Sequence, residues 1–576
     1  MAQLRHHTVR ILIMTAALAA CSLAQEAAPH AVVAATAPAT FDVRSFGAIG
    51  DGKTLDTRAI VEAIHAASAA GGGVVYFPPG TYLTGTFELL SNVTLNVPAG
   101  AVIQGSKNLA DYGSISDYGF GRAYGVDSSG EGLRVGIIVA RNAENIAIIG
   151  QGAINGSGDD FFDFQKPHFG TDFDARYTRQ GQDFLKSMAE TREGPVETKP
   201  DGRPGTMIIL SHCRNVLIRD ITLRDAPNWT LHLFHTHQAV VTGIHINNSL
   251  LLPNNDGIDC IDCSDVHFSD SDIRAGDDDF AIVGSVNVTI TNCSLVSRSS
   301  GIRLENTRYS GFSNLSIHSN RGIGIYEREG KTANLTFSDI TLETQLVFGH
   351  WWGKAEPIFI AIGPPKSNAA PGEVRDIRFS NIIGEAEGGI VLYGDPKAVM
   401  RNIYFDQVKL KIRAPRKEVS DLAGGNFDFR WTATDFAHAV FQHDIPGLYC
   451  RDVNGLKLHG VTLEWGNDLP SYFSSALECE DFADLDLDGF QGRQAIVSSR
   501  SPVIALRHGH GVSIRNSKAD PGASTFLSAA GVDGEGLFAE NDLRAAKRAI
   551  EPANSGFHLF GNLLPKQAAT SAKPAH

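Results

Sequence analysis

Apolar and polar residues alternate in short bursts along most of the chain, and each burst opens on one phrase. A small polar residue is followed by Asn or Asp, then by an aliphatic residue that leads an alternating run. Asn215-Val216-Leu217-Ile218, Asp265-Val266-His267-Phe268, Asn287-Val288-Thr289-Ile290 and Asn314-Leu315-Ser316-Ile317 are examples. The anchors Val216, Val240, Val266, Val288, Leu315 and Leu335 are 24, 26, 22, 27 and 20 residues apart. Ile377, Ile403, Leu456, Leu485 and Val512 continue the series across longer insertions, and Asn145-Ile146 and Asn92-Val93 extend it backwards. Period-two alternation predicts strands. A repeat in the low twenties with Asn and Gly turns predicts a solenoid. One rung cannot bury its own apolar side chains, but rungs stacked about 4.8 Å apart bury a continuous core and pair every strand on both sides. Leucine-rich repeats have a similar period, yet their fixed Leu pattern is absent. The expected fold is therefore all-β: a single-domain right-handed parallel β-helix over residues 40–563. Its open end needs a cap. Residues 54–70 read as an amphipathic helix with Ile60, Ile64 and Ala67 on one face, placed to cover the N-terminal end.

Composition agrees with one long domain. The 59 glycines lack any collagen period and suit many turns. A formal charge of −14 argues against a nucleic-acid binder, which needs a basic footprint. Residues 1–24 read as an export signal, with a basic start and an apolar stretch too short to span a bilayer. Ser22-Leu23-Ala24 suggests cleavage, whereas Leu18-Ala19-Ala20-Cys21 suggests a lipobox with a lipid anchor on Cys21. Either exit places the protein outside the cytoplasm, in the periplasm, on the outer membrane or beyond the cell. Residues 564–576 read as a disordered tail. Six further cysteines (Cys213, Cys260, Cys263, Cys293, Cys450 and Cys479) are too few to frame so long a fold. An oxidising compartment would allow some of them to pair. Cys260 and Cys263 lack the two extra ligands of a zinc site; buried or turn positions are expected.

Residues one period apart should lie above one another. Asp256 and Asp278 are 22 apart, and Asp277 is their neighbour, so three carboxylates should converge. Like charges at close range push one carboxyl to hold a proton while another stays ionised. That split serves glycoside hydrolysis, which needs an acid for the leaving oxygen and a base for water. Spacing alone leaves a calcium site and a plain solvated turn equally open.

The motifs go further. Phe46-Gly47-Ala48, Gly71-Gly72-Gly73 and Pro78-Pro79-Gly80-Thr81-Tyr82 resemble the opening of pectin-active β-helix enzymes. Pro227-Asn228-Trp229-Thr230-Leu231-His232, then Asn255-Asp256-Gly257-Ile258-Asp259 and Gly276-Asp277-Asp278, resemble glycoside hydrolase family 28, the polygalacturonase family, along most of the chain. The resemblance implies a pectin-lyase-like solenoid acting without cofactor or metal on pectic polysaccharide. It implies Asp277 as general acid, Asp256 and Asp278 as the pair that activates water, and Asn255 as a substrate-side residue. The family inverts configuration, for which carboxyls roughly 6.5–9.5 Å apart are expected. Two family motifs are missing. Ser300-Gly301 stands in place of His-Gly, and Gly324-Ile325-Tyr326 in place of the Arg-x-Lys that grips the substrate carboxylate. Either Arg303, Arg321 or Arg328 supplies the grip from another position, or the sugar is not galacturonate; an altered substrate such as rhamnogalacturonan is favoured, with homogalacturonan second.

Trp351 and Trp352, in a long insertion, are candidates for a sugar platform, with Phe429-Arg430-Trp431 a weaker one. His232, His235 and His237 share a strand whose alternation splits their faces, so packing is expected of them. A lyase using calcium on the same fold and a non-catalytic carbohydrate-binding β-helix are the competing classes. A capped β-helix needs no partner, so a monomer is expected.

Overall fold

The computed structural model of the chain describes residues 38–118, 134–168, 170, 173–365, 368–552 and 556–565. The export signal, Cys21 and almost all of the expected tail lie outside the described residues. Among those described, forty strands join one sheet system in which every pairing within the coil is parallel. Ile258–Ile261 illustrates the rule, pairing with Leu231–Phe234 on the preceding turn and Phe280–Val283 on the next. The chain is an all-β parallel β-helix. Inward residues such as Val216, Val266, Val288, Leu335 and Ile377 are buried in one continuous core. Phe312, Phe337, Phe379 and Phe405 stack along it with ring centroids 4.7, 4.8 and 4.9 Å apart.

Two of the sequence anchors are misplaced. Ala239, not Val240, pairs with Val216 and Val266 in register, and Val240 is 40% exposed. Period-two alternation turns it outward. Leu315 pairs with Cys293 and Ile340, one strand further round the coil, while Ser310 takes the anchor position beside Leu335. The reason is that the rung has two Asn turns of the same wording. Asn92, Asn145 and Asn215 occupy one, linked by amide–amide hydrogen bonds of 2.8 and 2.8 Å. Asp270, Asn292 and Asn314 occupy the other, linked at 2.5 and 3.0 Å. All six have a left-handed backbone, with φ between 52° and 63°. Asn and Asp accept this conformation more readily than other side chains.

The N-terminal cap spans Thr57–Ala69 and buries Ala59, Ile60, Ala63, Ile64 and Ala67. It starts three residues later than expected because Asp51 accepts the Lys53 and Thr54 N–H groups and holds that segment as a strand. The six cysteines after Cys21 are unpaired and buried. No helix among the described residues is long and apolar enough to cross a membrane.

Three insertions leave the same corner of the coil. Residues 156–207, 345–357 and 413–447 pack on one another through Phe173, Phe184, Met188, Phe348, Val419 and Val440. Arg179 donates to the Gly425 carbonyl at 3.1 Å, Asp174 N–H to Ala437 O at 3.0 Å, and Arg416 pairs with Glu193 at 2.7 Å. The short corners between the first and second of these insertions carry Asp256, Asp277 and Asp278.

Candidate active site

Register builds this site. Asp256, Asp278, Ser300, Arg321 and Glu356 each lie two residues before paired positions, Ile258, Phe280, Ile302, Ile323 and Ile358. They therefore form one column along the coil. The ladder confirms it: Gly257 N–H donates to Asp278 O at 2.9 Å, Arg321 N–H to Ser299 O at 2.9 Å and Gly322 N–H to Glu356 O at 3.0 Å. Asp277 precedes Asp278 at the corner. One oxygen from each of Asp256, Asp277 and Asp278 lies within 4.8 Å of the others, and all three residues are buried. The nearest oxygens are thus closer than the 6.5–9.5 Å expectation for the carboxyl pair, because rung spacing of about 4.8 Å sets the step between stacked residues.

Asn255 positions Asp277. Its Oδ1 accepts the N–H groups of Gly276 at 2.7 Å and Asp277 at 3.2 Å, and its Nδ2 donates to Ser249 O at 2.7 Å. It is fully buried, so the structure makes it a backbone clamp and not the substrate contact expected of it. Gly276 is required there, since a Cβ would stand 2.5 Å from Leu252 O and 2.6 Å from Asn255 Oδ1. Asp277 Oδ2 accepts Asn254 N–H at 3.2 Å. Burial, and then the charge of Asp278, push the Asp277 carboxyl up to about 7. Asp278 is held otherwise. Its Oδ1 accepts Ser299 Oγ and Ser300 N–H, both at 3.0 Å, and Arg303 Nε stands 2.8 Å from its Oδ2. Burial, followed by Asp259 and the two other site carboxylates, drives Asp256 well above the usual carboxylate range. Asp256 Oδ1 has no protein hydrogen-bond partner.

Arg303 is brought to the site as expected, but its charge is spent on Asp278, and Trp431 covers its guanidinium at 4.6 Å. Arg321 and Arg328 reach no open surface. Arg321 is buried against Glu356, and Arg328 donates to the backbone carbonyls of Trp431 and Ala433 at 2.5 and 2.8 Å. Trp351 is corrected as a platform. It is 2% exposed and its Nε1 donates to Glu193 O at 2.6 Å, riveting two insertions together. Trp352 is half-buried, edge-on to half-buried Trp431 at 5.4 Å. Trp431, the weaker candidate by sequence, is the one beside the site. His232 is buried and kept neutral, its pKa pulled down to about 3 by burial alone, while His235 and His237 face outward.

Sequence reasoning misses Asp259, Asp279 and Glu356 as neighbours of the site. Asp259 and Asp279 are fully buried with no partner for either carboxylate oxygen. Asp259 aligns with His232 one rung back. The signal for both lies in the register of the same motif. Glu356 has none, since it lies within the insertion 345–357, where the repeat is broken.

The comparisons with known proteins agree with this architecture. Residues 40–162 match the family described as rhamnogalacturonase A/epimerase, pectate lyase-like, and residues 206–349 match the right-handed β-helix region. A probable polygalacturonase of Vitis vinifera is 29% identical over 244 residues, 41% of this chain and 43% of that protein. An exo-poly-alpha-D-galacturonosidase of Dickeya chrysanthemi is 27% identical over 259 residues, 42% of this chain and 41% of that one. The matched stretch thus spans about two-fifths of these relatives. Among solved structures, the family 28 exopolygalacturonase of Yersinia enterocolitica superposes with a TM-score of 0.52 at 19% identity, over 79% of this chain and 78% of that one. The exopolygalacturonase of Thermotoga maritima gives 0.52 at 18%, over 74% and 93%. The fold is a right-handed parallel β-helix, similar over residues 40–162 to the pectate-lyase-like family description. Within that class the chain is polygalacturonase-like, with glycoside hydrolase family 28 its point of similarity.

Proposed function

We propose that this chain is an exported glycoside hydrolase that cleaves a pectic polysaccharide by acid/base catalysis. The observation that carries the reading is the division of labour among three buried carboxylates within 4.8 Å. Asp277, whose carboxyl is pushed up to about 7, holds a proton for the leaving oxygen. Arg303 Nε lies 2.8 Å from Asp278 Oδ2, and Asp256 has an oxygen free of protein partners to hold water between them. Inversion is the outcome the family resemblance implies for water attack from that pair; the spacing of the oxygens, within 4.8 Å, does not by itself carry it. A calcium-dependent lyase is less well supported, since the guanidinium of Arg303 already lies against Asp278, where a cation would have to bind. The relatives' names support pectin as the polymer, with galacturonan the chain they print, while the rhamnogalacturonase description matches only residues 40–162, ahead of the carboxylate rung.

The deciding experiment exposes the full chain to homogalacturonan, rhamnogalacturonan, arabinan and galactan, reading reducing ends and ultraviolet absorbance together. Reducing ends without absorbance are expected from a pectic substrate. New absorbance would overturn hydrolysis in favour of a lyase. Proton NMR of the first product gives the anomer: inversion is expected, and retention would assign Asp256 or Asp278 as a nucleophile.

A further inference from the structure

Arg298 is the middle residue of the corner Ser297-Arg298-Ser299, one rung after Asp277. Both serines hold the carboxylate corner. Ser297 Oγ donates to Asp277 O at 2.6 Å, and Ser299 Oγ to Asp278 Oδ1 at 3.0 Å. Arg298 lies half-buried between them, and its Nε is shielded from solvent with no hydrogen-bond partner. Burial pulls its guanidinium below the ordinary arginine range; Glu193 opposes that, and Arg416 and Arg274 add to it. Glu193 is committed elsewhere, since its Oε2 accepts Arg416 Nη2 at 2.7 Å and Phe348 N–H at 3.3 Å. Arg274, exposed on the preceding rung, pairs in register with Val296 and stands three residues before Asp277. Among the described residues neither arginine has an ion pair or a side-chain hydrogen bond. The buried guanidiniums nearby are matched: Arg303 by Asp278, Arg321 by Glu356 and Arg430 by Asp428.

We infer that Arg298, with Arg274 on the rung before it, binds the carboxylate of an acidic sugar lying against the Asp277 corner. This rests on the hydrolase reading above for the identity of the polymer alone. A guanidinium held half out of water beside a second one, with no acceptor, is unfavourable until an anion reaches it. The two side chains start from rungs about 4.8 Å apart, so one carboxylate can bridge them, and the guanidinium fork fits a carboxylate with two bonds. The flank is open, because Arg274 is exposed. It is also the opposite flank from Arg303. Arg274 lies on the strand that enters the carboxylate corner, Asp272–Ala275, whereas Arg303 lies against Asp278 from a strand that leaves the next corner, Ser300–Glu305. The two positive charges offset the repulsion that an acidic sugar would otherwise meet from three neighbouring carboxylates. Both arginines are therefore specificity-determining residues, selecting a free uronate over its ester or a neutral sugar.

The test sets free oligogalacturonides against their fully methyl-esterified forms and neutral galacto-oligosaccharides. Binding to the full chain carrying Asp277→Asn is read by calorimetry, and turnover by the parent protein as reducing ends. The free oligomers are expected to bind more tightly than either uncharged arm. Adding Arg298→Gln or Arg274→Gln is expected to weaken that binding about 10–100-fold and to leave the uncharged arms within about twofold. Arg298→Lys is expected to restore part of the loss. The melting temperature without ligand separates this from a structural role. Removing an unmatched guanidinium is expected to leave it unchanged or raised, whereas a fall on Arg298→Gln would make Glu193 its partner and overturn the inference. Equal binding of free and esterified oligomers, or free-oligomer binding untouched by either variant, would also overturn it, while cleavage of a pectic substrate would keep the hydrolase reading. Arginine-dependent binding of the free oligomer with no turnover by the parent would remove the hydrolase reading and leave the inference standing. No binding of any arm would remove the inference.

Discussion

Asn255 holds the backbone N–H of Asp277 from the rung before, sharing one side-chain oxygen between that N–H and the N–H of Gly276. Asp277 is therefore placed by a neighbouring rung's side chain as well as by its own backbone. Asn255→Ala leaves two buried donors and the Ser249 carbonyl unsatisfied. Loss of about 2–4 kcal/mol is expected in urea unfolding. Turnover is expected to fall about 10²-fold as the carboxyl drifts. Wild-type stability in the variant would remove the clamp.

On the proposed mechanism, Asp277→Asn removes the proton donor and keeps the shape. Turnover is expected to drop by about 10²–10⁴-fold with ligand binding retained. In the parent protein the acid form is required, so kcat is expected to fall once pH rises past about 7, where the Asp277 carboxyl loses its proton. A pH profile flat from about 6 to 9 would assign the acid elsewhere.

The same carboxyl affects stability with a definite sign. Its ordinary value is 3.8 and its folded value about 7. Between these the unfolded chain has released a proton that the folded chain still holds, so stability falls as pH rises through that window and then levels off. Asn has no charge to bury. The melting temperature of Asp277→Asn is expected to exceed that of the parent at about pH 8, and the difference to vanish near about pH 4. Equal melting curves at both values would mean that this carboxyl is not protonated in the fold.

Arg321→Met strands Glu356, a carboxylate with a side chain 3% exposed. Breaking a buried pair on one side costs about 3–5 kcal/mol. Adding Glu356→Leu removes the stranded charge, and the double variant is expected to recover most of that loss. A double-mutant cycle in guanidinium measures it.

Asn314 donates to Asn292 at 3.0 Å from a left-handed backbone with φ 52°. Asn314→Ala is expected to cost about 1–2 kcal/mol, combining the conformational penalty with the lost bond. Asn314→Gly should be milder at the backbone, and a larger loss for Gly than for Ala would show that the turn's conformation is not the limiting factor.

The coil is legible in the sequence because its anchors repeat, and Asp256, Asp277 and Asp278 are legible because register follows from spacing. Errors arise where two turns share one wording: Leu315 opens the second Asn turn, and nothing in its phrase separates it from the first. Val240 outranks Ala239 as an anchor by size alone, although alternation turns it outward. Trp351 resembles a platform because insertions read as surface loops, yet three insertions pack into a core of their own and bury it. Glu356 is invisible for a related reason, since it lies within an insertion that breaks the repeat after Arg321. Spacing predicts neighbours only where the repeat is unbroken.

That secondary core has a mechanical meaning. A solenoid in which each turn touches only its neighbours opens like a zip, from whichever end is weaker. Here the insertion after Asn155 grips those after Thr344 and Ile412, so it works as a staple driven across many teeth. The turns between them cannot separate singly. Hydrogen exchange is expected to show them opening together, as a block, while the turns after Leu477 loosen first. The carboxylates sit inside the stapled stretch, where distances of a few ångströms are least free to drift.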